Sequence, residues 1–534
     1  MSEYPSLGAL EHRVSLVDEL LVEQATLGPA VDRFAAWHVT HAEQPQSAGY
    51  RALIPTSQPV AGQQFAFEVN LSQCTGCKAC VAACHSLNGL DDEESWRDTG
   101  VLLGRDDTSS VQTITTACHH CEDPACANGC PVLAYDKDVT TGIVRHLDDQ
   151  CIGCSYCILK CPYDVPKYNK RRGIVRKCDM CQGRLEQGEA PACVQACPNH
   201  AISIRLVETR ESHFGHSFLP GAFDPSYTKP TTLYLGGRAA DRGAMKPDKL
   251  RIEEAHWPLV LMLVFVQMAV GGFVVSELVR WSGGYHMNHT AEPVVTIISA
   301  CLGILGVALS GLHLGQPLKA WRIFLGWRKS WLSREAMIFG AFAASCAVSG
   351  ASVLAGHFWG LSLWWPGWVS AGFGLLGVAA SAMVYIDTRR PFWAARIVVS
   401  KFFGTTLMLG TGLTACVLCY AGVAAAETLA VSFFVSVWVF GTVEAASVLS
   451  ALSDTKSPWH KSARVMAMLQ PRLLMLRAFL LTWSVLGAPL LMLVSPTWEL
   501  SLLLVTLAAV LAAQLIERYQ FFTASAAPRM PGMA

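Results

Sequence analysis

The 534-residue sequence is short of charge: only 15% of its residues are Asp, Glu, Lys or Arg, and 41 bases cancel 41 acids. Without a basic excess it lacks the electrostatic footprint of a nucleic-acid binder. Low charge beside a 52% apolar composition points instead to a membrane protein. Residues 1–40 lack the long apolar core of a signal peptide and carry acids throughout (Glu3, Glu11, Asp18, Glu19, Glu23). They also lack a twin-arginine pair. Cysteine is missing from the first 73 residues. A cysteine-rich segment with no export signal before it is expected to ligate metal rather than to form disulfides.

What is present is unevenly spread. Of 20 cysteines, 16 lie between Cys74 and Cys197. The other four, Cys301, Cys346, Cys416 and Cys419, sit in apolar stretches and read as core residues, since a free cysteine packs like a small hydrophobe. Residues 1–65 form a polar N-terminal extension of unassigned role, with an amphipathic helix expected from about Leu10 to Trp37. Residues 66–205 hold the cysteine motifs, 206–255 read as a linker, 256–522 are a series of apolar stretches, and 523–534 form a C-terminal tail.

Eight apolar stretches are expected to cross a bilayer as helices, at about 258–279, 293–314, 335–356, 362–386, 403–425, 428–452, 473–495 and 498–516. Each is near the roughly 20 residues that a span requires. If the cysteine-rich part lies on one side, three of the loops on that side carry 14 basic residues, from Lys319, Arg322 and Arg328 through Lys401 to Lys461 and Arg477. The opposite loops offer Arg280. The positive-inside rule then puts the cysteine-rich part in the cytoplasm, at the bacterial inner membrane.

Four cysteine motifs follow one another: Cys74-x2-Cys77-x2-Cys80-x3-Cys84; Cys118-x2-Cys121-x4-Cys126-x3-Cys130; Cys151-x2-Cys154-x2-Cys157-x3-Cys161; and Cys178-x2-Cys181-x11-Cys193-x3-Cys197. Pro131, Pro162 and Pro198 close the last three. A tight C-x2-C-x2-C loop wraps three corners of a cubane, and the cysteine after x3 reaches the other cluster of a pair. A zinc knuckle also uses C-x2-C, but needs neither the third close cysteine nor the crossing fourth. Four motifs therefore predict two two-cluster modules, on an α+β double ferredoxin-like domain followed by an all-α bundle of eight transmembrane helices.

Residues 66–205 resemble the iron–sulfur subunit of the dimethyl sulfoxide reductase class of molybdoenzymes. The matching runs are CHHCEDPACANGCPVLAYDKDVTTGIVRHLDDQCIGCSYCILKCPYDVPKYN and KCDMCQGRLEQGEAPACVQACP. Residues 257–522 resemble the membrane anchor of the same class through SGLHLGQPLKAWRIFLGWRKSWLSRE and YIDTRRPFW, which makes the polypeptide two subunits fused into one. The resemblance implies four [4Fe–4S] clusters. Cys74, Cys77, Cys80 and Cys197 would hold the first, and Cys84, Cys178, Cys181 and Cys193 the second. Cys118, Cys121, Cys126 and Cys161 would hold the third, and Cys130, Cys151, Cys154 and Cys157 the fourth. It also implies a separate catalytic subunit with molybdenum bis-pterin. A cytoplasmic iron–sulfur domain departs from the bacterial dimethyl sulfoxide reductase, whose catalysis lies outside the inner membrane, and is closer to the arrangement of sulfite-oxidising relatives.

In the resembling anchors the histidine matching His313 is tied to quinol binding, and imidazole is suited to proton-coupled quinone chemistry near neutral pH. The plainer reading is a histidine capping a helix end. Glu444, in the sixth span, and Arg334, beside Glu335 at the start of the third, complete the expected menaquinone or ubiquinone site. For Glu444 the alternative is a carboxyl hydrogen-bonded between helices, and for Arg334 a solvated interfacial charge. Lys78, Lys160 and Lys177 flank the cysteines and would raise cluster potentials, the plainer reading being solvated lysines. The expected function is electron transfer between membrane quinone and the molybdenum subunit. The alternatives are the equivalent module of a hydrogenase or formate dehydrogenase, and a redox-coupled ion transporter, which predicts many intramembrane charges.

Overall fold

The computed structural model describes residues 49–103, 111–209, 218–219, 221–236, 250–282, 291–361, 363–494 and 499–533, together with Val22 and Ala36. The helix expected over Leu10–Trp37 lies outside the described residues except at those two.

In the cysteine-rich part, alternation builds the central strand. β1, Gln63–Asn70, buries Phe65, Phe67 and Val69 in one core and turns Glu68 toward Arg205 at 3.1 Å. The remaining elements are short, because tight cysteine loops interrupt them. In chain order they are α1 (Ala79–Leu87), β2 (Asp98–Leu103), β3 (Val111–Thr116), α2 (Ala125–Gly129), β4 (Tyr135–Lys137), β5 (Val144–His146) and α3 (Tyr156–Lys160). They continue with β6 (Lys167–Asn169), β7 (Ile174–Arg176), α4 (Gln182–Glu186), α5 (Ala192–Gln195), β8 (Ile202–Glu208) and β9 (Leu233–Leu235). β8 runs antiparallel to β1, from Gln63↔Glu208 to Val69↔Ile202, which brings the last cysteine motif back to the first. β9 adds to β1 in parallel, and Thr231 just before it donates to the His119 carbonyl at 2.8 Å. The stretch 206–255 thus contributes a strand to the sheet.

The C-terminal part has eight helices long and apolar enough to span a membrane: α6 (Trp257–Trp281), α7 (Ala291–His313), α8 (Trp331–Trp359), α9 (Pro366–Ile386), α10 (Ala395–Tyr420), α11 (Ala425–Ser453), α12 (Pro471–Val494) and α13 (Glu499–Thr523). α6 and α10 form the centre. They approach so closely that a Cβ on Gly271 would lie 2.7 Å from the Gly410 Cα, the small-residue crossing that packs helices where water provides no drive between them.

The two parts form one body. Lys160 Nζ reaches Asp387 Oδ2 at 2.7 Å, Tyr156 Oη donates to the Val384 carbonyl at 2.9 Å, and Ser330 Oγ donates to the Gly129 carbonyl at 2.7 Å. Tyr156 joins the same apolar core as Phe339, Tyr385 and Trp393. After α13 the chain returns to the first part, where Gly532 accepts from Val101 at 3.1 Å and Arg529 bridges Asp164 and Glu253, each at 3.0 Å.

Several residues read from sequence as loop charges sit within the spans. Lys401 lies inside α10 and Arg477 inside α12, and both pair with Glu444. Reading a span as an uninterrupted apolar run ends it at the first charge, whereas a charge that meets its partner on a neighbouring helix can remain within the span.

Candidate functional site

The cysteine loops share a backbone device. In the first, third and fourth motifs the chain turns left-handed around the second cysteine: at Gly76 and Lys78, at Gly153 and Ser155, and at Met180 and Cys181. Alternating right- and left-handed residues makes a concave nest of amides that favours an anion. Amides also point at sulfur: Ala134 to Cys130 Sγ and Ala201 to Cys197 Sγ at 3.2 Å, Gly153 to Cys151 Sγ and Met180 to Cys178 Sγ at 3.4 Å.

Two sets of four cysteines each line a pocket, and the other eight fall into two electrostatic neighbourhoods. Cys74, Cys77, Cys80 and Cys197 line one pocket, with about 320 Å³ of empty space that includes open solvent. Cys118, Cys121, Cys126 and Cys161 line another, beside Lys177, with about 380 Å³ of such space. Cys84, Cys181 and Cys193 share one electrostatic neighbourhood, which Cys178 joins through Cys84 and Cys181. Cys130, Cys151, Cys154 and Cys157 share another. Among the described residues no three His, Cys, Asp or Glu converge tightly enough for a single metal ion. Four thiolates on one zinc would stand about 3.8 Å apart. Wider cavities walled by four sulfurs suit a polynuclear group instead. His119 lines the second pocket, and its buried Nε2 has no hydrogen-bond partner among the described residues. Burial pushes the Cys84 thiol up to about 12 and those of Cys130 and Cys161 up to about 11, so without a metal to displace the proton they rest as neutral thiols.

Buried side chains set the order of the quartets. Arg97, 2% exposed, feels Cys80 of the first quartet together with Cys84, Cys178 and Cys193 of the second. Burial opposes its charge, but the sulfurs outweigh burial and its pKa is raised. Lys177, 3% exposed, lies between Cys178 of the second and Cys118 and Cys126 of the third, and its pKa is raised for the same reason against the same penalty. Tyr135 stands between Cys126 of the third and Cys130 and Cys157 of the fourth. The fourth quartet then meets the membrane part. Leu314 and Ile323 pack into the cluster of Cys130, Cys151 and Cys157, and the Gln316 amide donates to the Ile152 carbonyl at 3.0 Å. The Cys77 end is exposed.

His313 closes α7 in a tight turn, with Nδ1 against the Ser310 carbonyl. A proton on Nδ1 satisfies that carbonyl and leaves Nε2 as the lone-pair nitrogen. Glu444 lies apart from this turn, on α11, whose helical neighbours include α10 and α12. One carboxylate oxygen meets Lys401 at 2.9 Å and the other meets Arg477; Lys401 continues to Glu517 at 2.6 Å, and Arg518 reaches Gln267 at 3.1 Å. Arg334 is half-buried, stacked 4.5 Å above Trp331 and donating to the Trp327 and Arg328 carbonyls. Its neighbour Glu335 turns inward and is buried. Among the described residues no hydrogen bond or ion pair joins His313 to Glu444 or Arg334. Of the flanking lysines, Lys177 is buried between quartets, Lys160 is committed to Asp387, and Lys78 is exposed. The cysteine spacing carried no trace of Arg97, Tyr135 or Asp387.

Residues 109–206 match a 4Fe-4S dicluster domain, and residues 253–524 match the family described as DMSO reductase anchor subunit (DmsC). The B subunit of the anaerobic dimethyl sulfoxide reductase of Escherichia coli K12 is 36% identical over 180 residues, 32% of this protein and 87% of that subunit. The iron–sulfur subunit of the nitrate-inducible formate dehydrogenase of the same organism is 36% identical over 243 residues, 39% of this protein and 80% of that subunit. The hydrogenase-2 operon protein HybA of Escherichia coli O157:H7 is 36% identical over 165 residues, 26% of this protein and 49% of HybA. The polypeptide is a multi-pass membrane protein that transfers electrons through iron–sulfur clusters, and it belongs to the dimethyl sulfoxide reductase family, with the iron–sulfur subunit and the membrane anchor subunit joined in one polypeptide.

Proposed function

We propose that this protein passes electrons between membrane quinone, menaquinone or ubiquinone, and a separate molybdenum bis-pterin catalytic subunit. Four [4Fe–4S] clusters, held by the four quartets, would supply one-electron relay sites. The observation that carries this reading is the linear order of quartets, with the exposed Cys77 at one end and the His313–Gln316 segment hydrogen-bonded to Ile152 at the other. A relay of that shape suits a soluble partner at one end and a lipid-dissolved carrier at the other.

The residues divide the work. His313 Nε2 exchanges the quinone proton, while the Ser310 carbonyl fixes the tautomer. Arg97 and Lys177 keep buried positive charge between quartets, where added electrons would otherwise meet only sulfur. Glu444 and Arg334, each engaged by other groups, hold the anchor's architecture rather than the quinone. We place the iron–sulfur domain in the cytoplasm, because the basic α7–α8 loop lies on its side: Lys319 and Arg322 donate to the Asp149 carbonyl at 3.1 and 3.0 Å.

The test is His313→Ala. Quinol-driven bleaching of the iron–sulfur absorbance should be lost, while dithionite still reduces the full cluster complement. Unchanged quinol kinetics would reject the site. A second reading, the equivalent module of a hydrogenase or formate dehydrogenase complex, has support from the two iron–sulfur relatives of those systems; the anchor match over residues 253–524 favours the first. The ion-transporter reading gains intramembrane charges that the sequence reading counted with the loops or placed outside the spans, namely Lys401, Arg477, Glu517 and Arg518, but they are engaged with one another or with Glu444.

A further inference from the structure

A polar cleft opens where the iron–sulfur part meets the helices, with about 1990 Å³ of empty space that includes open solvent. Glu93, Asp98 and Lys170 line its walls on one side, and His256, Arg390 and Ser525 on the other. Charged walls and this size suit water. Neither the relay nor the anchor uses this space.

Two groups bring the cleft to the His313 turn. Tyr168 lines it and places Oη 2.6 Å from where a Cβ on Gly315 would sit, two residues past His313. His256 lines it as the cap of α6, half-buried, with its carbonyl accepting from Leu259 at 2.9 Å and Val260 at 3.1 Å. α6 packs against the Ser310–His313 turn.

Building on the quinone reading above, we propose that His256 is the proton relay between the His313 site and the water of this cleft. In quinol oxidation QH2 becomes Q, two electrons enter the iron–sulfur domain one at a time, and two protons leave. His313 Nε2 takes a proton from a quinol hydroxyl, His256 takes it from His313, and cleft water takes it from His256. Quinone reduction runs the same path backwards, with two protons taken up. His256 does not touch the quinone and acts through His313.

The surroundings suit a group that must be neutral between transfers. Acidic Glu253, Glu254 and Asp164 face the cleft together with basic Arg251, Lys167, Arg390 and Arg529. Arg529 bridges Asp164 and Glu253, and Lys167 meets Asp164 at 3.0 Å, so much of this charge cancels locally. Burial lowers the His256 pKa, with Glu254 pulling the other way. The imidazole therefore rests neutral near pH 7 and accepts a proton only in passing.

The experiment compares His256→Ala and His313→Ala in the purified full-length protein. It follows quinol-driven bleaching against pH, and binding of a quinone-analogue inhibitor by fluorescence quenching. His256→Ala should slow bleaching at least tenfold at pH 7, keep inhibitor affinity and dithionite-reducible absorbance, and recover most of its rate with added imidazole. A wild-type rate in His256→Ala, or a slow rate that imidazole does not restore, overturns the relay. If His313→Ala is inactive in that case, the quinone reading survives the loss of the relay. A wild-type rate in His313→Ala removes the quinone reading itself.

Discussion

The Gln316 amide donates to the Ile152 carbonyl at 3.0 Å, which fastens the membrane domain inside the Cys151–Cys154 loop just beyond His313. Gly315 makes this approach possible. A Cβ there would collide with the Gly173 carbonyl and lie 2.6 Å from Tyr168 Oη. Gly315→Ala should cost about 1–3 kcal/mol of overpacking strain and slow quinol-driven cluster reduction more than dithionite reduction. Equal effects on the two rates would mean that the contact does not gate transfer.

Lys160 and Asp387 hold the same boundary from the other side of the fourth quartet. The Lys160 side chain is only 5% exposed, and burial lowers its pKa while Asp387 opposes the shift. Asp387→Asn leaves the ammonium with carbonyl partners alone. The expected loss is about 1–3 kcal/mol, below the cost of breaking a fully buried pair because Asp387 is partly solvated. Thermal unfolding in detergent reads this, and the restoring double variant Lys160→Met/Asp387→Leu should recover part of the loss.

Much of this architecture was open to a sequence reader, for physical reasons. Eight spans were legible because a bilayer demands length and apolarity together. The span ends were not. α13 runs on through Glu517 and Arg518, where charge stays inside because Lys401 and Gln267 meet it. The cysteine spacing located the sulfur donors, but the groups between quartets come from positions with no periodic signature: Arg97 precedes a hairpin strand and Tyr135 starts a three-residue one. Arg334 and Glu335, adjacent in sequence, part company because successive helical side chains diverge, one outward and one to the core.

Lys177 lies between the second and third quartets, with Nζ held by the Cys178 carbonyl at 2.8 Å and by Val144. A buried cation favours the more negative, reduced state of its neighbours. Lys177→Met should therefore lower the midpoint potentials of two of the four clusters and leave the others near their original values. Redox titration followed by EPR checks the direction; a rise, or an equal shift of all four, would contradict the placement.

Glu444 is wedged between Lys401 and Arg477 on three helices. Glu444→Gln leaves two buried cations with less counter-charge, and a loss of about 3–5 kcal/mol is expected for breaking such a pair. Quinone-analogue affinity in the folded fraction should stay unchanged. A selective loss of that affinity would return Glu444 to the quinone site.

The most direct test of the whole account is iron and acid-labile sulfide analysis, with EPR spin counting, on the anaerobically purified protein. Sixteen cysteines in four quartets predict four [4Fe–4S] clusters per polypeptide. Well under four clusters, or zinc in their place, would contradict it.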